Sequence, residues 1–164
     1  MGVSRVVFFS GSLFLPLLLF VSFSLGSEVV TVDVLEAKSL LGSGFTYLDI
    51  RTEEEYKKGH VDLEKIYNIP YMFDKPGDIF CASGGRETNP DFLNNISSVF
   101  TENDKLLVGC QSGVRSRAAS TDLVAAGFKN VRDMKGGYLD WVKHGLSVKQ
   151  DQLKEDQSVA TKSP

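Results

Sequence analysis

The residues with the clearest chemistry are a cysteine at the end of an apolar run and an arginine shortly after it. Leu106-Leu107-Val108-Gly109 leads into Cys110-Gln111-Ser112-Gly113-Val114-Arg115, and a segment of helical pattern follows from Ser116. If the run is a strand and the following segment a helix, the connecting loop can turn its backbone N–H groups inward and hold an anion. The helix dipole and the Arg115 guanidinium favour the thiolate of Cys110 over the thiol. Gly113 permits a backbone angle that a side chain would forbid, and Ser116 is a candidate cap for the helix. The bland alternative is a buried cysteine of ordinary core type. Gly113 and Arg115 argue against it, because neither has a core role between a strand and a helix. Cys110 is therefore the expected nucleophile, with Gln111, Ser112, Gly113, Val114 and Arg115 as the loop that binds its anionic substrate.

Such a loop needs a rigid sheet beneath it. Val29 to Val32, Phe45 to Ile50, Lys65 to Pro70 and Lys105 to Gly109 read as strands, and Val131 to Met134 as a last short one. Between them lie helical patterns. Asp33 with Glu36 and Thr52 with Glu55 have the spacing of a capping box. Asn89-Pro90 opens a helix whose apolar face carries Phe92, Leu93, Ile96, Val99 and Phe100. Ser116 to Ala126 turns Ala119, Leu123 and Val124 inward, and Gly136-Gly137 leads into a helix with Tyr138, Trp141 and Val142. Strands alternating with helices imply a parallel sheet covered on both faces. In an open sheet of that kind ligands bind at the carboxyl ends of the strands, where Cys110 falls.

Composition narrows the function classes. The chain has 164 residues, 42% hydrophobic and 24% charged, the balance of one globular domain. A net charge of -3 lacks the electrostatic footprint of broad nucleic-acid binding. Two cysteines and two histidines offer neither a disulfide scaffold nor a four-ligand zinc site, so no metal or cofactor is expected. Arg5 is the sole charge before Glu28, and the run from Val6 to Leu25 is apolar and ends in Ser24-Leu25-Gly26. Residues 1–26 thus read as a secretory signal peptide. A signal anchor and an organelle-targeting segment are the alternatives, and contact with a membrane is expected only if the segment stays uncleaved. Residues 27–149 form the domain and residues 150–164 a polar, frayed tail. Asn95-Ile96-Ser97 is a glycosylation sequon that matters only in a secreted chain.

The loop from Cys110 to Ser116 resembles the active loop of rhodanese-type sulfurtransferases. Four more segments agree, in the family's order: Tyr47-Leu48-Asp49-Ile50-Arg51 with Glu53-Glu54-Glu55-Tyr56, Gly59-His60-Val61, Asn68-Ile69-Pro70, and Gly136-Gly137-Tyr138-Leu139-Asp140-Trp141. The likeness is strongest to small single-domain plant members. It implies a rhodanese-like α/β fold, a five-stranded parallel sheet with helices on both faces. It also implies transfer of sulfur from a small anionic donor such as thiosulfate, through a persulfide on Cys110, to cyanide or a thiol, by a monomer. Asp49 and Arg51 would be structural support beneath the loop rather than reacting groups. His60 is expected to cap or sit at the surface, Arg117 to be a solvated helix charge, and Glu53 to Glu55 to be a helix start favoured by its dipole. The stretch between Met72 and Asn89 is longer than the resemblance implies. It carries Cys81, read as a loop thiol unless it reaches Cys110. Arsenate reduction and a catalytically inert binding module are the competing functions.

Overall fold

Short runs of Val, Leu and Ile without polar alternation belong in strands buried on both faces. The structure, a computed structural model, describes residues 28–75 and 85–150. In chain order the elements are β1 (Val30–Val32), α1 (Val34–Gly42), β2 (Thr46–Asp49), α2 (Glu53–Lys58), β3 (His60–Val61), β4 (Ile66–Asn68) and β5 (Met72–Asp74). There follow β6 (Arg86–Thr88), α3 (Phe92–Val99), β7 (Lys105–Gly109), α4 (Val114–Ala125), β8 (Asn130–Met134), α5 (Gly137–Lys143) and β9 (Val148–Lys149). Five strands form one sheet in the order β1-β8-β7-β2-β4, and every pairing in it is parallel. This is the expected five-stranded sheet.

β7 lies at the centre, and its Leu106, Leu107 and Val108 are fully buried. Alternate side chains serve opposite faces. Leu106 and Val108 join Leu48 and Ile50 under Phe92 and Ile96 of α3 and Ala119 and Leu123 of α4. Leu107 and Tyr47 pack on the other face with Val34 and Ala37 of α1 and Trp141 of α5. The register sets Asp49 of β2 beside Gly109 of β7, and Asp49 beside Asn68 of β4. Asn68 then donates its side-chain amide to the carbonyls of Asp49 and Arg51, both at 3.0 Å. The carboxyl ends of the central strands are locked together directly below the cysteine loop.

Two short antiparallel pairs extend the fold beyond the expected elements. β3 pairs with β9, and β5 pairs with β6 through Met72↔Thr88, Phe73↔Glu87 and Asp74↔Arg86. The long connection after β4 is therefore rooted in a hairpin; Cys81 lies outside the described residues. Three expectations shift. α3 begins at Phe92, because Asn89 accepts the Asp91 N–H on its side chain and holds Asn89-Pro90 in a turn before the helix. Leu93 and Val99 are solvent-exposed rather than part of its buried face. α4 begins at Val114, ahead of Ser116, with Gly113 as its N-cap. Residues 1–26 and, apart from Gln150, the expected tail also lie outside the described residues. Among the described residues no helix is long and apolar enough to cross a membrane.

Candidate active site

Cys110 follows the last residue of β7 and is 1% exposed. The chain then has to reverse into α4 within three residues. Gly113 makes this possible at φ +91°, a left-handed angle that side chains disfavour. A Cβ there would also stand 2.9 Å from the Gly136 nitrogen. The turn brings two backbone donors onto the sulfur. The Gly113 N–H lies 3.2 Å and the Ser116 N–H 3.3 Å from Cys110 Sγ. The carbonyls that open the loop, those of Cys110 and Gln111, are held by the first turn of α5. Tyr138 N–H donates to the Cys110 carbonyl at 2.8 Å and Leu139 N–H to that of Gln111 at 3.1 Å. Gly137, at φ +60°, lies so close that a Cβ would collide with the Cys110 carbonyl. Of the remaining loop residues, Ser112 is exposed, and Val114 projects its side chain into solvent at 76% exposure. These two can serve an anion through their backbones.

Ser116 is not the helix cap that the sequence suggested. The chain is already helical two residues earlier, so its backbone N–H is free to turn to the sulfur. Its hydroxyl donates to Asp133 on β8 at 2.7 Å.

Arg115 is buried and engaged in a two-point pair. Its Nη1 and Nη2 lie 2.7 and 2.8 Å from the two Glu55 oxygens. The expected role, a guanidinium aimed at the cysteine, is thus modified. Arg115 anchors the start of α4 to α2, and fork geometry makes such a pair strong. Burial alone would raise the Glu55 carboxyl. Arg115, the Thr52 backbone N–H and the nearby Arg86 outweigh it and hold that carboxyl below its ordinary value. Glu55 also closes the capping box of α2, where its side chain accepts the Thr52 N–H at 3.1 Å. The sequence shows that box and the helix dipole but not the ion pair. Nothing in the spacing of residues 55 and 115 announces it.

Beneath the loop, Asp49 and Arg51 pair with each other. Both are essentially inaccessible. Arg51 donates its Nε to Asp49 Oδ1 at 3.0 Å and its Nη2 to Asp49 Oδ2 at 2.7 Å. The same Nη2 reaches the Gly59 carbonyl at 2.9 Å, and Nη1 reaches Gln111 Oε1 at 3.3 Å. The guanidinium lies 4.2 Å over the Tyr138 ring, a cation–π contact. One side chain therefore touches the loop, α5 and the end of α2. Burial, and then the Asp49 charge, push the Tyr47 hydroxyl well above its usual range, so it stays neutral beside this cluster. His60 is buried, stacked on Tyr56 with centroids 4.0 Å apart and Nδ1 near the Tyr56 carbonyl. It caps, as expected. Arg117 is exposed on α4, as expected, and donates to the Thr31 hydroxyl. Asn95 is exposed on α3. Among the described residues no group of three or more His, Cys, Asp or Glu could hold a metal ion.

The Glu55–Arg115 pair makes a signed prediction about acid. A carboxyl held below its ordinary value of 4.5 contributes stability that is complete above that pH and lost as pH falls through the lowered folded value. At neutral pH, Glu55→Gln should be less stable by about 2 kcal/mol, since Arg115 loses its charged acceptor. Below pH 4.5 the gap between wild type and variant should close as Glu55 takes up a proton. Urea unfolding of both proteins at several pH values checks this. A gap that stays constant into acid would contradict it.

Comparison with known proteins agrees with this geometry. The Rhodanese-like domain family matches residues 33–144. "Thiosulfate sulfurtransferase 18" of Arabidopsis thaliana is 51% identical over 121 residues, covering 74% of this chain and 84% of the relative. "Protein HIGH ARSENIC CONTENT 1, mitochondrial", also of Arabidopsis thaliana, is 42% identical over 135 residues, 82% of this chain and 73% of the relative. Other relatives carry the word chloroplastic in their names. The solution structure of a rhodanese-like domain from Anabaena sp. superposes with a TM-score of 0.57 at 22% identity, over 82% of this chain and 87% of that one, which speaks for the fold. The cysteine loop on β7, its two inward N–H donors and the family match over residues 33–144 lead to one conclusion: the chain belongs to the rhodanese-like sulfurtransferase family.

Proposed function

We propose that this protein moves sulfane sulfur from thiosulfate, or another small anionic donor, through a persulfide on Cys110 to cyanide or a thiol. The observation that carries this reading is the convergence of the Gly113 and Ser116 N–H groups on Cys110 Sγ. A thiolate and a persulfide both carry negative charge there, and fixed donors at that point stabilise them without reorganisation. Cys110 Sγ bonds to the outer sulfur of thiosulfate while that sulfur's bond to the sulfonate sulfur breaks. Sulfite leaves with the electron pair, and the enzyme keeps R–S–S⁻. Attack by cyanide or a thiolate on the terminal sulfur then returns the Cys110 thiolate. The backbone of Gln111 to Arg115 surrounds the anion, while Glu55, Asp49 and Arg51 keep that backbone in place. The reaction needs no cofactor and no metal. The proposed partners are small molecules, not nucleic acid, and the proposed active form is a monomer.

Loop size supports sulfur over phosphate. Four residues separate Cys110 from Arg115. A nest widens with the number of N–H groups around it, so this one suits a single sulfur beside the cysteine better than a whole tetrahedral phosphate. Arsenate reduction stands as the second reading, because the relative whose name refers to arsenic content shares 42% of aligned residues. An inert binding module has no use for two donors aimed at a sulfur. Thiosulfate:cyanide transfer, arsenate reduction and aryl-phosphate hydrolysis measured side by side decide among these readings. Thiosulfate turnover should dominate, phosphate hydrolysis should be at background, and Cys110→Ser should reduce transfer to background. Faster phosphate hydrolysis than thiosulfate consumption would overturn the size argument. Full activity in Cys110→Ser would move the site to Cys81.

For residues 1–26 we propose a cleaved targeting segment directing secretory entry. Relatives named chloroplastic or mitochondrial make organelle import the alternative. The first residue of protein purified from its native source should lie near position 27. An intact Met1 on a soluble protein would contradict cleavage.

A further inference from the structure

The hydrogen bonds behind the nucleophile do not stop at the loop. Asp133 on β8 is 2% exposed, and among the described residues it forms no salt bridge. Two hydroxyls satisfy its carboxylate: Ser116 Oγ at 2.7 Å on Oδ1 and Thr31 Oγ1 at 3.2 Å on Oδ2. The other side of Ser116 faces the sulfur, where Cys110 Sγ donates to Ser116 Oγ across 3.6 Å. The chain of donors thus runs from the Cys110 thiol to the Ser116 hydroxyl to the Asp133 carboxylate.

A serine hydroxyl has one proton. The Gly113 carbonyl at 3.2 Å competes for it, but the carboxylate is nearer and charged, and charge-assisted bonds are the stronger. With its proton on Asp133, Ser116 presents a lone pair to the sulfur. A thiol is satisfied by that arrangement and a thiolate is repelled by it. When Cys110 ionises, its proton goes to solvent and the Ser116 hydroxyl must turn to donate to the sulfur. Asp133 then keeps Thr31 alone, in a site with almost no water to replace the lost donor. After sulfur loading the negative charge sits on the terminal sulfur, Sγ is neutral, and the hydroxyl can return to Asp133.

We propose that Asp133 is a positioning residue that competes with Cys110 for the Ser116 proton and so governs the pH at which the nucleophile becomes a thiolate. This rests on the reading of Cys110 as the nucleophile. Other charged or ionisable groups also face this chain. They are Arg115 and Glu55 from α4 and α2, Asp49 and Arg51 at the end of β2, and Tyr47 and Tyr138. Arg117 on α4 binds Thr31. All of them are kept in the variants below.

The test is a thiolate titration of the full chain by ultraviolet absorbance, without substrate, in a Cys81→Ser background. Asp133→Asn keeps the shape but removes the charge, so the midpoint should fall by about one pH unit. Thr31→Val, at an exposed position, takes away the other donor and tightens the hold on Ser116; its midpoint should rise. In Ser116→Ala, the effect of Asp133→Asn should shrink by half or more, because the relay is gone. A midpoint unmoved by both single variants would overturn the proposal. So would an Asp133→Asn shift that is the same with and without the Ser116 hydroxyl, which would mark a through-space charge effect. Because no sulfur donor is present, a shifted titration beside absent thiosulfate turnover would leave this inference standing while refuting the proposed function.

Discussion

The site depends on one backbone arrangement: the first N–H groups of α5 hold the carbonyls of Cys110 and Gln111. A peptide unit with its carbonyl fixed outward has its N–H fixed inward. That orientation turns the Gln111 and Ser112 N–H groups away from α5, and the next donors along the chain, the Gly113 and Ser116 N–H groups, reach the sulfur. It requires two loops to meet backbone to backbone, which explains glycine at 113 and 137, while at 136 the crowding comes from Asp140 of α5 itself. A Cβ at any of the three would fall within about 3 Å of a neighbouring atom, closer than packed interiors tolerate. The parallel sheet supplies the meeting point, because neighbouring β7 and β8 end at the same edge and send their loops toward each other.

Buried charges then keep the arrangement in place. Asp49 with Arg51 and Glu55 with Arg115 are weak contributors to net stability when set against apolar replacements, yet removal of one partner from a pair as buried as Asp49–Arg51 costs about 3–5 kcal/mol. Their value lies in direction. Arg51 touches Asp49, Gly59 and Gln111 and covers Tyr138, so the loop, α5 and α2 cannot shift independently. Arg115 ties the first turn of α4 to Glu55, and Arg86, where β6 leaves the long connection, approaches the same carboxylate at 3.4 Å. The long connection is thereby linked to the loop's support.

The central strands are legible because they are apolar runs of the right length, and the capping residues Asp33 and Thr52 sit where side-chain oxygens can reach N–H groups three residues on. Cys110, Gly113 and the pair Asp49 and Arg51 were legible because their spacing within one segment reflects local geometry. What escaped is long-range and polar. Glu55 lies 60 residues from Arg115, and Asp133 lies 17 from Ser116. Neither leaves a period or a motif in its own segment. Ser116 looks like a cap in the sequence because serine before a helix usually is one; glycine in the left-handed region starts the helix earlier and releases it. The β3–β9 and β5–β6 pairs are two and three residues per strand, too short for alternation to register.

The account turns on whether Cys110 is the atom that carries sulfur. Protein treated with thiosulfate and desalted should gain the mass of one sulfur atom for each sulfite released. Fragmentation should place that atom on Cys110, and cyanide should remove it stoichiometrically as thiocyanate. Sulfite release with the added sulfur on Cys81, or turnover with no sulfur retained on the protein, would contradict it.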